Sequence, residues 1–123
     1  MIDYAEAQAA CETYIRSLQA SDVETLLALF DDNASIEDPV GTELREGKSA
    51  LREFYSVACE GVLSAALSGA PRLAGNEVAF PFTVTAGTVG EELNINTIDV
   101  FKCNEAGKVV SMRAFWGPNN IGS

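Results

Sequence analysis

The 123-residue sequence predicts a single α+β domain over residues 1–123. A strongly curved sheet, antiparallel or mixed, is expected to wrap three N-terminal helices as a cone with an apolar interior. Two observations carry this. Three stretches with apolar residues at three- and four-residue steps end by Ala58, and single alternation runs from Leu63 onward, so the helices come first and most of the strands follow as one run. Hydrophobic residues make up 47% of the chain, which excludes a disordered polypeptide and suffices for one core at this length. No repeat, linker or low-complexity segment divides the sequence.

Each element has its own signal. Tyr4, Ala7, Cys11, Tyr14, Ile15 and Leu18 form one stripe of a first helix. Ser21-Asp22-Val23-Glu24 reads as a capping box opening a short second helix, with Val23, Leu26, Leu27 and Phe30 inward and Asp31-Asp32-Asn33 as its break. Ala34, Ile36, Asp38 and Val40 alternate with polar or turn residues, as in a strand entering a Pro-Val-Gly turn. Leu51, Phe54, Tyr55 and Ala58 mark the third helix. Leu63, Ala65 and Leu67 predict a strand, and Val78, Phe80, Phe82 and Val84 a stronger one. Pro81 within that run cannot donate to a ladder, which calls for a bulge or an edge there. Leu93, Ile95, Thr97, Asp99 and Phe101 alternate in the next strand. After a turn at Asn104–Gly107, Val110, Met112, Ala114 and Trp116 share one face of the last.

Composition removes many functions. Eight Lys and Arg against eighteen Asp and Glu give a net charge of −10, unsuited to nucleic acid or an anionic membrane. No apolar run approaches the roughly 20 residues of a membrane span, and Met1-Ile2-Asp3-Tyr4 lacks a signal-peptide start, so a cytoplasmic protein is expected. There is no histidine, which excludes Ser-His-Asp and Cys-His nucleophiles and His-ligated metals. Cys11, Cys59 and Cys103 are odd in number and without a CxxC pair, and read as buried reduced thiols. With no Gly-rich phosphate loop either, no metal or organic cofactor is expected.

Three polar residues stand where the pattern calls for apolar ones: Tyr14, Asp38 and Asp99. Each has a plainer reading. Asp38 precedes Pro39 and could serve only to order a turn. A one-residue slip would turn Asp99 to solvent. Tyr14 could be a core aromatic whose hydroxyl meets some acceptor, and Tyr55 is a weaker case of the same kind. Taken together they form a kit for enolisation. An ionised carboxylate takes a proton beside a carbonyl, while a phenol and a carboxylic acid kept neutral by desolvation hold the developing oxyanion. Glu37, Asp31-Asp32 and Glu91-Glu92 read as surface charge, Arg113 as an outer-face or subunit-contact residue, and the Cys103 thiol has no partner that would activate it.

Several stretches are similar to a known family. Ala34-Ser35-Ile36-Glu37-Asp38-Pro39-Val40-Gly41, Arg52-Glu53-Phe54-Tyr55, Ile98-Asp99, Gly107–Ala114 and Asn120-Ile121 resemble the bacterial ketosteroid isomerases of the nuclear transport factor 2-like superfamily, nearly end to end. The resemblance implies a cone-shaped domain, a homodimer joined through the sheets, and isomerisation of a 3-oxo-Δ5-steroid to its Δ4 isomer through a dienolate. It puts Asp38 on the general base, Tyr14 and Asp99 on the oxyanion hole, and Tyr55 on the tyrosine that braces Tyr14. A carboxylic acid held neutral in its site is an established property of that family. Phe54, Phe80, Phe82, Val84, Phe101, Met112, Ala114 and Trp116 are the expected apolar walls for a steroid ketone. The match is loose over 63–69 and 85–96 and at Phe115-Trp116, and Phe30 stands where a third tyrosine occurs in the family. Two other readings stay open: another small-molecule enzyme of the superfamily (polyketide cyclase, dehydratase or epoxide hydrolase type), or a non-catalytic binder of apolar ligands.

Overall fold

Asp3 starts the first helix of the computed structural model, which describes residues 1–122. Its carboxylate accepts from the Glu6 amide at 2.8 Å and Glu6 accepts from the Asp3 amide at 3.1 Å. This reciprocal cap opens α1 (Tyr4–Ala20), which buries Ala7, Cys11, Tyr14, Ile15 and Leu18. The capping box expected at Ser21 does not form. Ser21 sits at φ 54° and closes α1, its amide turned back to Leu18 and Ser17, so it cannot also be the extended first cap of another helix. Asp22 does that for α2 (Val23–Leu27), accepting from the Thr25 amide at 3.2 Å.

Phe30 does not extend α2, and Asp31-Asp32-Asn33 is not a break. β1 (Phe30–Glu37) runs through them, and a shift of its pairing between Phe30 and Ser35 accommodates the polar residues while Phe30 and Ala34 stay inside. Val40 is not an inward strand residue: β1 ends at Glu37, the chain turns through a cis Asp38–Pro39 peptide, and Val40 is 37% exposed. A short β2 (Arg45–Glu46) leads into α3 (Lys48–Glu60), which buries Leu51, Tyr55 and Cys59 and is tied to α2 by the Arg52–Glu24 ion pair.

The remaining strands are β3 (Val62–Leu67), β4 (Arg72–Ala74), β5 (Glu77–Thr88), β6 (Glu91–Cys103), β7 (Val109–Phe115) and β8 (Ile121–Gly122). They join one unclosed sheet in the order β2-β1-β7-β6-β5-β3, with β4 added to β5 and β8 to β6. The sheet is mixed, because β1 runs parallel to β7 while the other pairs are antiparallel. One edge, β3, packs on α1, and the other, β1 and β2, packs on α3. The sheet therefore curls around the helices, and the inner faces of β5, β6 and β7 close over them. Among the described residues no helix is long and apolar enough to cross a membrane.

Pro81 lies at neither a bulge nor an outer edge but at a local gap in the pairing of an interior strand. β5 pairs with β6 without interruption from Glu77↔Lys102 to Thr88↔Glu91. On its other side the Pro81 carbonyl accepts from the Ser68 amide at 3.0 Å, so the missing donor faces the gap where β3 gives way to β4. Three expected inward residues turn out otherwise, two of them through irregular pairing. A shift between Val62 and Ser64 turns Leu63 outward, 39% exposed, and Val62 inward. Cys103 pairs with Val109 and Lys102 with Ser111, so the extra residue is Val110, and Val109 is buried in its place. Leu93 is 49% exposed, beyond the inner surface that buries the other end of β6. The turn at Asn104–Gly107 forms as expected, with Gly107 at φ 82°. Cys11, Cys59 and Cys103 are buried and unbridged.

Candidate active site

Five elements bring polar side chains to one cavity. The stripe of α1 carries Tyr14 inward and α3 carries Tyr55 to meet it, hydroxyl to hydroxyl at 3.0 Å. The residue after β1 supplies Asp38. Period-two alternation along β6 puts Thr97 and Asp99 on its inner face, and Trp116 follows the end of β7. All six line a cavity of about 260 Å³. Asp99 is 1% exposed and Tyr14 2%, which settles the direction of both: the alternation holds and Asp99 faces inward.

The polar contacts are few and specific. The Trp116 indole N–H donates to Asp38 Oδ1 at 2.9 Å, and the Thr97 hydroxyl lies 2.9 Å from Asp99 Oδ1. Tyr14 is ringed edge-on by Phe101, Tyr55, Phe80 and Phe82, with centroids 5.1–6.2 Å away. Such surroundings disfavour charge. Burial, then the nearby Asp38, carry the Asp99 carboxyl well above the ordinary carboxylate range, against a smaller opposing pull from Thr97. Burial, then Tyr55, Asp99 and Asp38, hold the Tyr14 phenol well above its ordinary value. Burial also raises Asp38 above its ordinary value, with the Trp116 donor and the Arg45 charge opposing part of that rise. The cavity thus opposes a carboxyl group that has a donor and a nearby cation to an acid and a phenol whose neutral forms burial favours. Burial, helped by Cys103 and Asp99, pushes the Cys11 thiol up to about 12, which leaves it inert.

The walls differ in part from the expected set. Phe54, Phe82, Val84 and Trp116 line the cavity. Phe80, Phe101 and Met112 do not: each is fully buried, and the two aromatic rings stand behind Tyr14 as its packing. Ala114 lines a separate shallow groove beside Val40 and Phe115. Leu18, Ala58, Val62 and Ile95 take their places. Leu18, Ala58 and Ile95 were visible as members of apolar stripes, whereas Val62 was hidden by the pairing shift in β3. Thr97 and Trp116 as hydrogen-bond partners needed the folded geometry. A larger groove of about 540 Å³ along α3 shares Phe54 and Ala58 with the cavity, but its charged residues are Glu43, Arg45 and Glu53, and neither Asp38, Asp99 nor Tyr14 borders it. Among the described residues no cluster of three His, Cys, Asp or Glu is placed to hold a metal ion.

The raised Asp99 has a consequence for stability. An Asp in an unfolded chain titrates near 3.9, so a folded value above this means the group costs nothing below about pH 4. Its cost then grows as pH rises towards the folded value. Asp99→Asn removes that cost. The variant is expected to be more stable than wild type at pH 7–8, with the gap closing as pH falls to about 4, measured by urea unfolding across pH. A gap independent of pH contradicts an Asp99 raised by burial.

A small α+β cone with an apolar, acid-lined cavity defines a class of pocket proteins, and comparison with known proteins agrees with it. The SnoaL-like domain family matches residues 11–112. The chain belongs to this family, within the nuclear transport factor 2-like superfamily. It is 33% identical over 117 residues to the steroid Delta-isomerase of Nocardioides simplex, covering 95% of this chain and 94% of that enzyme. It is also 33% identical over 110 residues to the epoxide hydrolase LasB of Streptomyces lasalocidi, covering 85% of this chain but only 39% of LasB. Among solved structures, SalBIII, an epoxide hydrolase/cyclase-like enzyme of pyran ring formation in the polyether salinomycin, superimposes with a TM-score of 0.89 at 31% identity. The match covers 99% of this chain and 98% of SalBIII. RV0760c from Mycobacterium tuberculosis, with a TM-score of 0.86 at 22% identity over 99% of this chain and 98% of its own, shares the fold.

Proposed function

We propose that the protein is a steroid Δ-isomerase that moves a β,γ double bond into conjugation with a 3-ketone. The observation that carries this reading is the meeting of Asp38, Tyr14 and Asp99 around one apolar cavity. Asp38 takes the proton from the carbon between carbonyl and alkene. Among the described residues the Tyr55 hydroxyl has only Tyr14 as partner. With Tyr55 donating to it, Tyr14 turns its own proton to the cavity. Tyr14 and neutral Asp99 then donate to the oxygen that becomes the dienolate, where preorganised donors act most strongly. Asp38 returns the proton to the far end of the former alkene, so atoms and charge balance without a cofactor. The identity shared with the Nocardioides simplex enzyme along almost the whole chain supports the same reading. A homodimer would use the outer face of β6 and β7, where Ile98 and Phe115 are paired and exposed.

A conjugated enone absorbs strongly in the ultraviolet and the unconjugated ketone does not. Adding 5-androstene-3,17-dione is expected to raise the absorbance catalytically. Saturable binding without absorbance change contradicts the isomerase and leaves a binder. The likeness to SalBIII and LasB carries a second reading, since a neutral acid facing a carboxylate can also protonate an epoxide oxygen while the base activates an attacking hydroxyl. Turnover of an epoxy alcohol with no effect on the ketosteroid is the outcome that selects it.

A further inference from the structure

We infer that Thr97 is a positioning residue: its hydroxyl bonds Asp99 Oδ1 and so directs the carboxyl proton, on Oδ2, into the cavity. Thr97 and Asp99 are two residues apart on the inner face of β6, both buried. The hydroxyl has one proton and two neighbouring acceptors, Asp99 Oδ1 at 2.9 Å and the Phe115 carbonyl at 3.5 Å. Giving the proton to Phe115 would leave a bond at the limit of length in a buried site, where an unmade hydrogen bond is costly. Donation to Oδ1 is therefore the stable arrangement. An oxygen that accepts from Thr97 is not the one that carries the acid proton, and among the described residues nothing else bonds the Asp99 carboxyl. The proton falls to Oδ2, the atom left for a ligand in the cavity that Asp99 lines.

The arrangement has a recognisable cost. Donation to a carboxylate favours its ionised form, so Thr97 pulls against the neutrality of the acid that it aims. Aim and acidity can therefore be separated. Removing the hydroxyl should keep Asp99 neutral to higher pH and yet weaken it as a donor, because the carboxyl can then turn or take its proton on either oxygen. A residue with only a packing role would move neither quantity.

The inference rests on the isomerase reading, and the test separates the two. Thr97→Val keeps shape and strand preference while deleting the hydroxyl, and Thr97→Ser restores it. With 5-androstene-3,17-dione as substrate, Thr97→Val is expected to lose about tenfold in kcat with KM little changed, the size of one misdirected hydrogen bond. Carboxyl-carbon NMR should show Asp99 titrating at higher pH in Thr97→Val than in wild type, and Thr97→Ser should return both properties towards wild type. Wild-type kcat in Thr97→Val overturns the proposal, as does an Asp99 titration that the valine leaves in place or a serine variant that restores nothing. Wild-type protein that leaves the ketosteroid unchanged overturns the isomerase reading instead, and the Asp99 titration in the two variants still decides whether the Thr97 bond exists.

Discussion

Asp38→Asn is expected to retain the fold and steroid binding but to lose at least the roughly 10²–10⁴-fold that a general base typically supplies. The amide is nearly the shape of the carboxylate, and its oxygen can still accept from the Trp116 indole, 2.9 Å from Oδ1 in the wild type. What disappears is the basic lone pair facing the cavity. Trp116 is the only tryptophan in the chain and lines the same cavity, so quenching of its fluorescence reports ligand binding independently of turnover. Enone formation near the wild-type rate by purified Asp38→Asn contradicts the role given to Asp38, and loss of quenching in that variant contradicts a purely chemical defect.

Tyr14→Phe is expected to lower kcat by about 10²–10³ with little change in KM, the usual effect of deleting one donor to a developing oxyanion. A ground-state ketone is a weak acceptor, so the phenol contributes far more once negative charge has gathered on the oxygen. The substitution also leaves the buried Tyr55 hydroxyl without its 3.0 Å partner. An unsatisfied buried hydroxyl costs about 1–3 kcal/mol, and urea unfolding should show a loss in that range. Enone absorbance gives the kinetic split; a variant whose only defect is a raised KM contradicts oxyanion stabilisation and makes Tyr14 a binding residue.

The parts of this molecule legible in its sequence are those written by periodicity. Tyr14 on a helical stripe and Asp99 on an alternating face were visible because each is polar where its neighbours are apolar, and both point inward. Period alone fails where pairing is irregular. Leu63 and Val110 lie at shifts in β3 and β7 that turn the neighbouring residue inward instead, and a shift depends on partner strands distant in sequence. Ser21 and Asp22 could both cap a helix; only the closeness of α1 and α2 decides that Ser21 closes the first. Phe80, Phe101 and Met112 share inner faces with true wall residues, yet depth within the cone is invisible to alternation, and they lie behind the cavity. The support given by Trp116 to Asp38 spans 78 positions, a contact set by how the end of β7 meets the turn after β1.

Isomerisation by this cavity requires one ionised carboxylate, Asp38, facing one neutral carboxylic acid, Asp99. Burial and the charge of Asp38 carry Asp99 well above the ordinary carboxylate range, while burial raises Asp38 less freely because Trp116 and Arg45 oppose it. A free-peptide Asp titrates near 3.9, so Asp99 stays protonated at pH 7 only if its surroundings strongly favour the neutral form. The most direct measurement is carboxyl-carbon NMR of the ligand-free protein, titrated from pH 3 to 9, with Asp38→Asn and Asp99→Asn used to assign the two signals. An Asp99 signal still protonated at pH 7 is expected beside an Asp38 signal already ionised. An Asp99 that ionises near pH 4, like a carboxylate in water, contradicts the donor role of Asp99.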